Sequence, residues 1–196
     1  MANNKKQSLD TELTDEDKIN VLRAGSLFFL GVLLLFFFFG WCYIRNTKEG
    51  VEVGMNGWNF ICLSFTWKFS SANKAMFGDV AVPFYYYAQA FIVILTIMAM
   101  IIFYVTIALV VLAIFNLAKR SVKITTTMIV LSIVNSVTLL ASFVTALAMN
   151  ASDILPIFCS GNPACSIRSL IILPFLVSAL VLVLNIFLRK KLLEKE

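Results

Sequence analysis

The chain has 196 residues, 60% of them hydrophobic and 14% charged, with a formal net charge of +5 and no histidine. Globular chains are about 45–50% apolar and about 25% charged, so an apolar excess gathered into long runs marks a membrane protein. The absence of His excludes imidazole metal ligation and imidazole proton relay, and positive charges that flank apolar runs point to the membrane surface rather than to nucleic acid.

Residues 1–23 are polar. The apolar run that follows is too long for a signal-peptide core, and no small-residue cleavage site closes it. Thr14 and Asp17 have capping-box spacing, and Asp15, Glu16 and Asp17 suit the positive end of a helix. A helix is therefore predicted to start near Asp15 in water and to enter the bilayer at Ala24.

The first predicted span is residues 24–44, Ala24 to Ile44, bracketed by Arg23 and Arg45. About 20 residues cross a hydrocarbon core of roughly 30 Å, and Trp41 and Tyr43 sit where amphipathic rings prefer the interface. The first connection runs over residues 45–83. Within it, Leu63, Phe65, Trp67 and Phe69 alternate with Ser64, Thr66, Lys68 and Ser70, which is the strand period. A second extended run covers Val51 to Trp58, with Gly54 and Gly57 at turn or bulge positions. Together they predict a small β-hairpin outside the cytoplasm, with Trp58, Phe65, Trp67 and Phe69 either capping the bundle or forming an interaction surface.

The second span is residues 84–118, preceded by Pro83 at a helix first-turn position and opened by Tyr85, Tyr86 and Tyr87 as an interfacial belt. As one helix it is about 52 Å long and must tilt or project beyond the bilayer. Residues 119–123 form a turn short enough to make spans two and three an antiparallel hairpin. The third span is 124–149, the second outer connection 150–168, the fourth span 169–188, and residues 189–196 form a tail. Lys5, Lys6, Lys18, Arg23, Lys119, Arg120, Lys123, Arg189, Lys190, Lys191 and Lys195 lie on one predicted face, eleven of the sixteen basic residues. The positive-inside rule makes that face, with both termini, cytoplasmic and the protein a multi-pass resident of the cell membrane.

Cys159 and Cys165 bracket the turn formers Gly161, Asn162 and Pro163 on the outer face, and a disulfide closing this loop is expected. A Cys-x5-Cys pair without His is a poor zinc site. Cys42 and Cys62 are left, and a bridge between them is the weaker alternative. Asn150-Ala151-Ser152 is a glycosylation sequon. Ser132, Asn135, Ser142 and Thr145 share one stripe of span three, and Asn185 of span four is the expected partner of Asn135; small and hydroxylated residues favour close helix packing in lipid. The competing reading of these residues is a polar path for a solute. Asp79, Asp153, Glu49 and Glu52 are the only outer acids, and nothing in their spacing makes a catalytic pair.

Four spans, cytoplasmic termini, a β-containing first connection and a shorter second one are similar to the claudin and peripheral-myelin tetraspan layout. The claudin first-loop signature is a Trp, then Gly-Leu-Trp, then two Cys; Gly57-Trp58 and Cys62 approximate it, while the Leu and the second Cys are absent. The similarity is one of topology. The fold class read from the sequence is thus an all-α integral membrane bundle of four transmembrane helices with a small outer β-hairpin. The expected role is non-enzymatic, without cofactor: an accessory, scaffold or interaction subunit whose partners are the lipid bilayer and other membrane proteins. The alternative is a small-solute or lipid-handling transporter using a polar path near Asn135 and Asn185.

Overall fold

The computed structural model describes residues 14–46, 51–58, 61, 82–151 and 165–194. In chain order these form α1 (Asp15–Leu35), β1 (Gly40–Asn46), β2 (Val51–Asn56), α2 (Val82–Ala118), α3 (Val122–Ala151), β3 (Cys165–Ser169) and α4 (Ile172–Leu193). All four helices are long and apolar enough to cross a membrane.

Helix α1 starts where the capping chemistry puts it. The Thr14 hydroxyl accepts from the Asp17 amide at 3.2 Å, and the Asp17 carboxylate accepts from the Thr14 amide at 3.2 Å. Two orphan donors of the first turn are thereby satisfied. The far end differs from expectation. The helix stops at Leu35, and Gly40–Asn46, whose first five residues were read as the end of the first span, is a strand. Between them the chain tightens into i→i−3 bonds: Phe37 N to Leu34 O at 3.1 Å and Phe38 N to Leu35 O at 3.0 Å. A run of aromatics followed by Gly40 has weak helix preference, and pairing on two sides supplies the strand with more backbone bonds than a frayed helix end.

The sheet has order β2-β1-β3, all antiparallel. Of the predicted extended run Val51 to Trp58, Val51–Asn56 is a strand while Gly57 and Trp58 are helical, and the strand's partner among the described residues is β1. Residues 63–69, the predicted second strand with Phe65, Trp67 and Phe69, lie outside the described residues, as do Cys62 and Cys159. The third strand comes from the segment between α3 and α4, with Cys165 opposite Asn46 and Ser169 opposite Cys42. Because Ser169 belongs to this ladder, α4 begins at Ile172 rather than at the expected residue 169 and runs to Leu193.

The helices close a ring. Helix α1 packs on α2 and α4, and α3 packs on α2 and α4. The core runs along the axis through Leu30, Leu33, Ile102, Leu109, Met128, Leu139 and Val181, all almost fully buried. Helix α2 has 37 residues, about 56 Å, and α1 has 21, about 32 Å. Among the described residues the sheet meets the bundle through β3, which packs against α3.

Candidate interaction surface and polar interior

The end of α1 is where the sheet is fastened to the bundle. A helix leaves its last carbonyls without intrahelical partners. Here the Trp41 indole donates to Phe36 O at 2.8 Å, the Trp58 amide to Phe37 O at 3.0 Å, and the Asn56 side-chain amide to Phe38 O at 3.3 Å. On the other side of β1, Leu170 N donates to Trp41 O at 2.9 Å. The polar backbone is consumed, and aromatic rings remain on the surface.

Those rings form a ladder. Phe37 meets Trp41 at 5.0 Å and Phe103 at 5.3 Å between centroids; Trp58 stacks on Phe38 at 6.1 Å and sets its edge against Phe103 at 5.9 Å; Phe103 meets Tyr104 at 5.7 Å. Phe37 and Trp41 are buried, whereas Phe38 is 64%, Tyr104 53% and Trp58 41% exposed. The approach is close enough to require glycine at position 57. A Cβ there would lie 2.5 Å from Trp41 Cζ2 and 2.7 Å from Phe37 Cδ1. On the opposite flank of α1 an apolar groove of about 230 Å³ lies between Phe36, Phe39, Gly40 and Trp41 on one side and Leu170, Leu173 and Pro174 on the other. Of the predicted surface, Trp58 is thus placed in the ladder. Phe38, Phe103 and Tyr104, not singled out in the sequence, complete it; the one signal for them was their aromatic character in runs otherwise read as lipid-facing.

The predicted polar stripe of α3 lines the bundle interior in layers. Ser132, Asn135 and Ser142 are fully buried. Thr145 spends its hydroxyl on Ala141 O of its own helix at 2.8 Å. Asn135 and Asn185 are not bonded to each other. Asn185 accepts from Ser26 at 3.0 Å and donates to Ser132 at 3.4 Å, joining α1, α4 and α3. Less than one turn along α3 from Ser132, and about two turns along α4 from Asn185, Asn135 donates to Thr106 at 3.3 Å and to Ser178 at 3.4 Å, joining α3, α2 and α4. Ser178 also shares a hydrogen bond with Ser136 at 2.9 Å. The Asn135 Oδ1 has no partner. Turning the amide over would give the oxygen two hydroxyl donors and strip the amino group of its acceptors, so either orientation leaves one polar end over.

Closer to the basic end a third layer centres on Arg23, which is 6% exposed. Its guanidinium donates to the Asn116 carbonyl and to Asn20 Oδ1 at 3.4 Å. The Asn116 side chain donates to Thr125 Oγ1 at 3.2 Å and accepts from Ser121 N at 3.4 Å. Outside this layer, Arg120 pairs with Glu16 at 2.6 Å and Lys191 with Asp15 at 3.6 Å and Glu194 at 2.7 Å. Among the described residues no three His, Cys, Asp or Glu come together to hold a metal.

Four apolar helices in a ring, with a sheet fastened to one end of the first, are the layout of a multi-pass membrane protein. No family model, curated protein or solved structure matches the chain.

Proposed function

We propose that the protein is a non-enzymatic accessory, scaffold or interaction subunit of a complex in the cell membrane, and that the aromatic ladder around Trp58 is its docking surface. One observation carries the reading: Trp58 lies on the surface, stacked on the still more exposed Phe38 and edge-on to Phe103, beside backbone groups that are already paired. Exposed rigid aromatics with satisfied polar surroundings are the usual anchors of protein interfaces. Purification in mild detergent, with identification of chains recovered in fixed ratio, tests it; recovery of the protein alone under all mild conditions would count against it. The tetraspan layout, claudin-like in topology, fits the same role, since β3 brings the second outer connection onto the strand that follows α1.

In this proposal both termini and the Lys119–Lys123 turn face the cytoplasm, because the basic residues gather there. Cys159 and Cys165 are bridged on the outer side. One labelling experiment addresses both points. An impermeant maleimide applied to intact cells is expected to spare a single Cys placed in that turn, and to reach Cys159 and Cys165 only after reduction. Labelling of the turn, or of both cysteines without reductant, would remove the corresponding claim.

A second reading, transport of a small solute, is favoured by a different observation, the unpartnered Asn135 Oδ1 in the bundle centre. A solute path needs polar groups to spare, and Asn135 has one. Solute flux through reconstituted vesicles, measured for wild type and Asn135→Leu, separates the two readings.

A further inference from the structure

The charges at the basic end of the bundle do not balance evenly. Helices α2, α3 and α4 contain no Asp or Glu. Carboxylates reach this end from the start of α1 and from Glu194. Lys191 takes Asp15 and Glu194, and Arg120 takes Glu16. Arg23 is buried as a helix cap. On the outer seam between α3 and α4, Lys123 and Arg189 are exposed, and neither has a carboxylate partner among the described residues.

Arg189 is not loose. Its Nε donates to Thr126 Oγ1 across the seam at 3.1 Å, and the Thr126 hydroxyl donates in turn to Val122 O at 2.9 Å. The hydroxyl hydrogen is thereby committed to the backbone, so its lone pair faces Arg189 and holds the guanidinium plane. The two terminal nitrogens of Arg189 have no partner among the described residues. Lys123 lies one turn from Thr126 toward the helix start. From the same seam toward the bilayer centre, Val130 and Ile133 of α3 and Ile186 of α4 are exposed and apolar. A fixed guanidinium fork matches phosphate oxygens in paired fashion, a lysine adds a point charge, and an apolar track below them suits an acyl chain.

We propose that the α3–α4 seam at Arg189, Thr126 and Lys123 binds the phosphate headgroup of an anionic phospholipid in the leaflet on the basic side. The two charges give a site on this seam rather than a diffuse attraction spread over the whole face, where Lys119 would contribute equally.

The test is native mass spectrometry of the full chain in detergent, titrated with phosphatidylglycerol against phosphatidylcholine. Wild type is expected to retain phosphatidylglycerol in preference. The double variant Lys123→Gln with Arg189→Gln is expected to lose about 30-fold in that preference, two near-surface basic residues' worth. Thr126→Val, which frees the guanidinium, is expected to lose less but measurably, as is Arg189→Lys, which keeps the charge without the fork. Lys119→Gln is expected to bind as wild type. Soluble glycerol phosphate, which has no chains, is expected not to displace the lipid even in large excess. Wild-type preference in the double variant, an equal loss in Lys119→Gln, or displacement by glycerol phosphate would each overturn the assignment. Lys119, Lys123 and Arg189 lie on the surface and Thr126 is half-buried, and thermal melting of each variant checks that the fold is kept.

Discussion

Arg23 donates to the backbone carbonyl of Asn116, 93 residues away, and so ties the first helix to the last turn of the second. The carbonyl is one of the orphans of the α2 terminus, and a cation there also suits the negative end of the helix dipole. The Asn116 side chain then reaches Ser121 and Thr125, so one residue fixes three helices at this end.

Replacing Arg23 with Ala is expected to lower stability by about 2 kcal/mol, since it removes a charge-assisted bond and leaves a buried carbonyl unpaired. Arg23→Lys should recover part of that loss, because an ammonium cannot span Asn116 and Asn20 as a fork does. Thermal unfolding in detergent measures both; Arg23→Ala melting with wild type would contradict the capping role.

Two glycines make a matched pair. Gly57 faces the Trp41 and Phe37 rings, and Gly31 in α1 has nothing within 4 Å of an added Cβ. Gly57→Ala is expected to destabilise by about 1–3 kcal/mol through overpacking against rigid rings. Gly31→Ala is expected to be neutral or to stabilise by up to about 1 kcal/mol, as for a helix-interior glycine. Melting curves that ranked the two variants the other way would mean that the sheet is not fastened to α1 as described.

The two buried asparagines should respond differently. Asn185 uses both ends of its amide, and Asn135 leaves one unused. Asn185→Leu is expected to cost about 1–2 kcal/mol, near the upper range for polar contacts between membrane helices, and Asn135→Leu about 0.5 kcal/mol or less. In a transporter, Asn135→Leu would abolish flux in reconstituted vesicles while barely moving the melting curve. In an interaction subunit, neither wild type nor variant moves solute.

Much of the helical plan was legible because charge and hydropathy report it directly. The Thr14–Asp17 spacing placed the start of α1, and Lys119 and Arg120 marked the turn before α3, whose first turn already holds Lys123. The end of α1 was hidden, because Gly40 to Ile44 is as uncharged and apolar as the helix before it, and a short apolar strand cannot be told from a helix by hydropathy. β3 is five residues long, and its partner is more than a hundred residues away, so no local pattern announces it. For Asn135 and Asn185, helical spacing gave the inward face but not the height along the axis. The height is set by how α3 and α4 slide against each other, and it pairs Asn135 with Ser178 and Asn185 with Ser132. Arg23 was read as a flanking charge, whereas its burial follows from the carbonyl it caps.

The central claim is that the aromatic ladder at the end of α1 binds a membrane partner, and Trp58 tests it most directly. The measurement is the affinity of purified wild type and Trp58→Ala for the partner recovered in mild detergent, beside the melting temperature of each protein alone. Trp58 is partly exposed and makes two ring contacts, so its loss is expected to cost the isolated protein about 1–2 kcal/mol. Binding is expected to weaken by at least about 2 kcal/mol, roughly 30-fold, as at an interface hot spot. Undiminished binding by a folded Trp58→Ala protein would contradict the account.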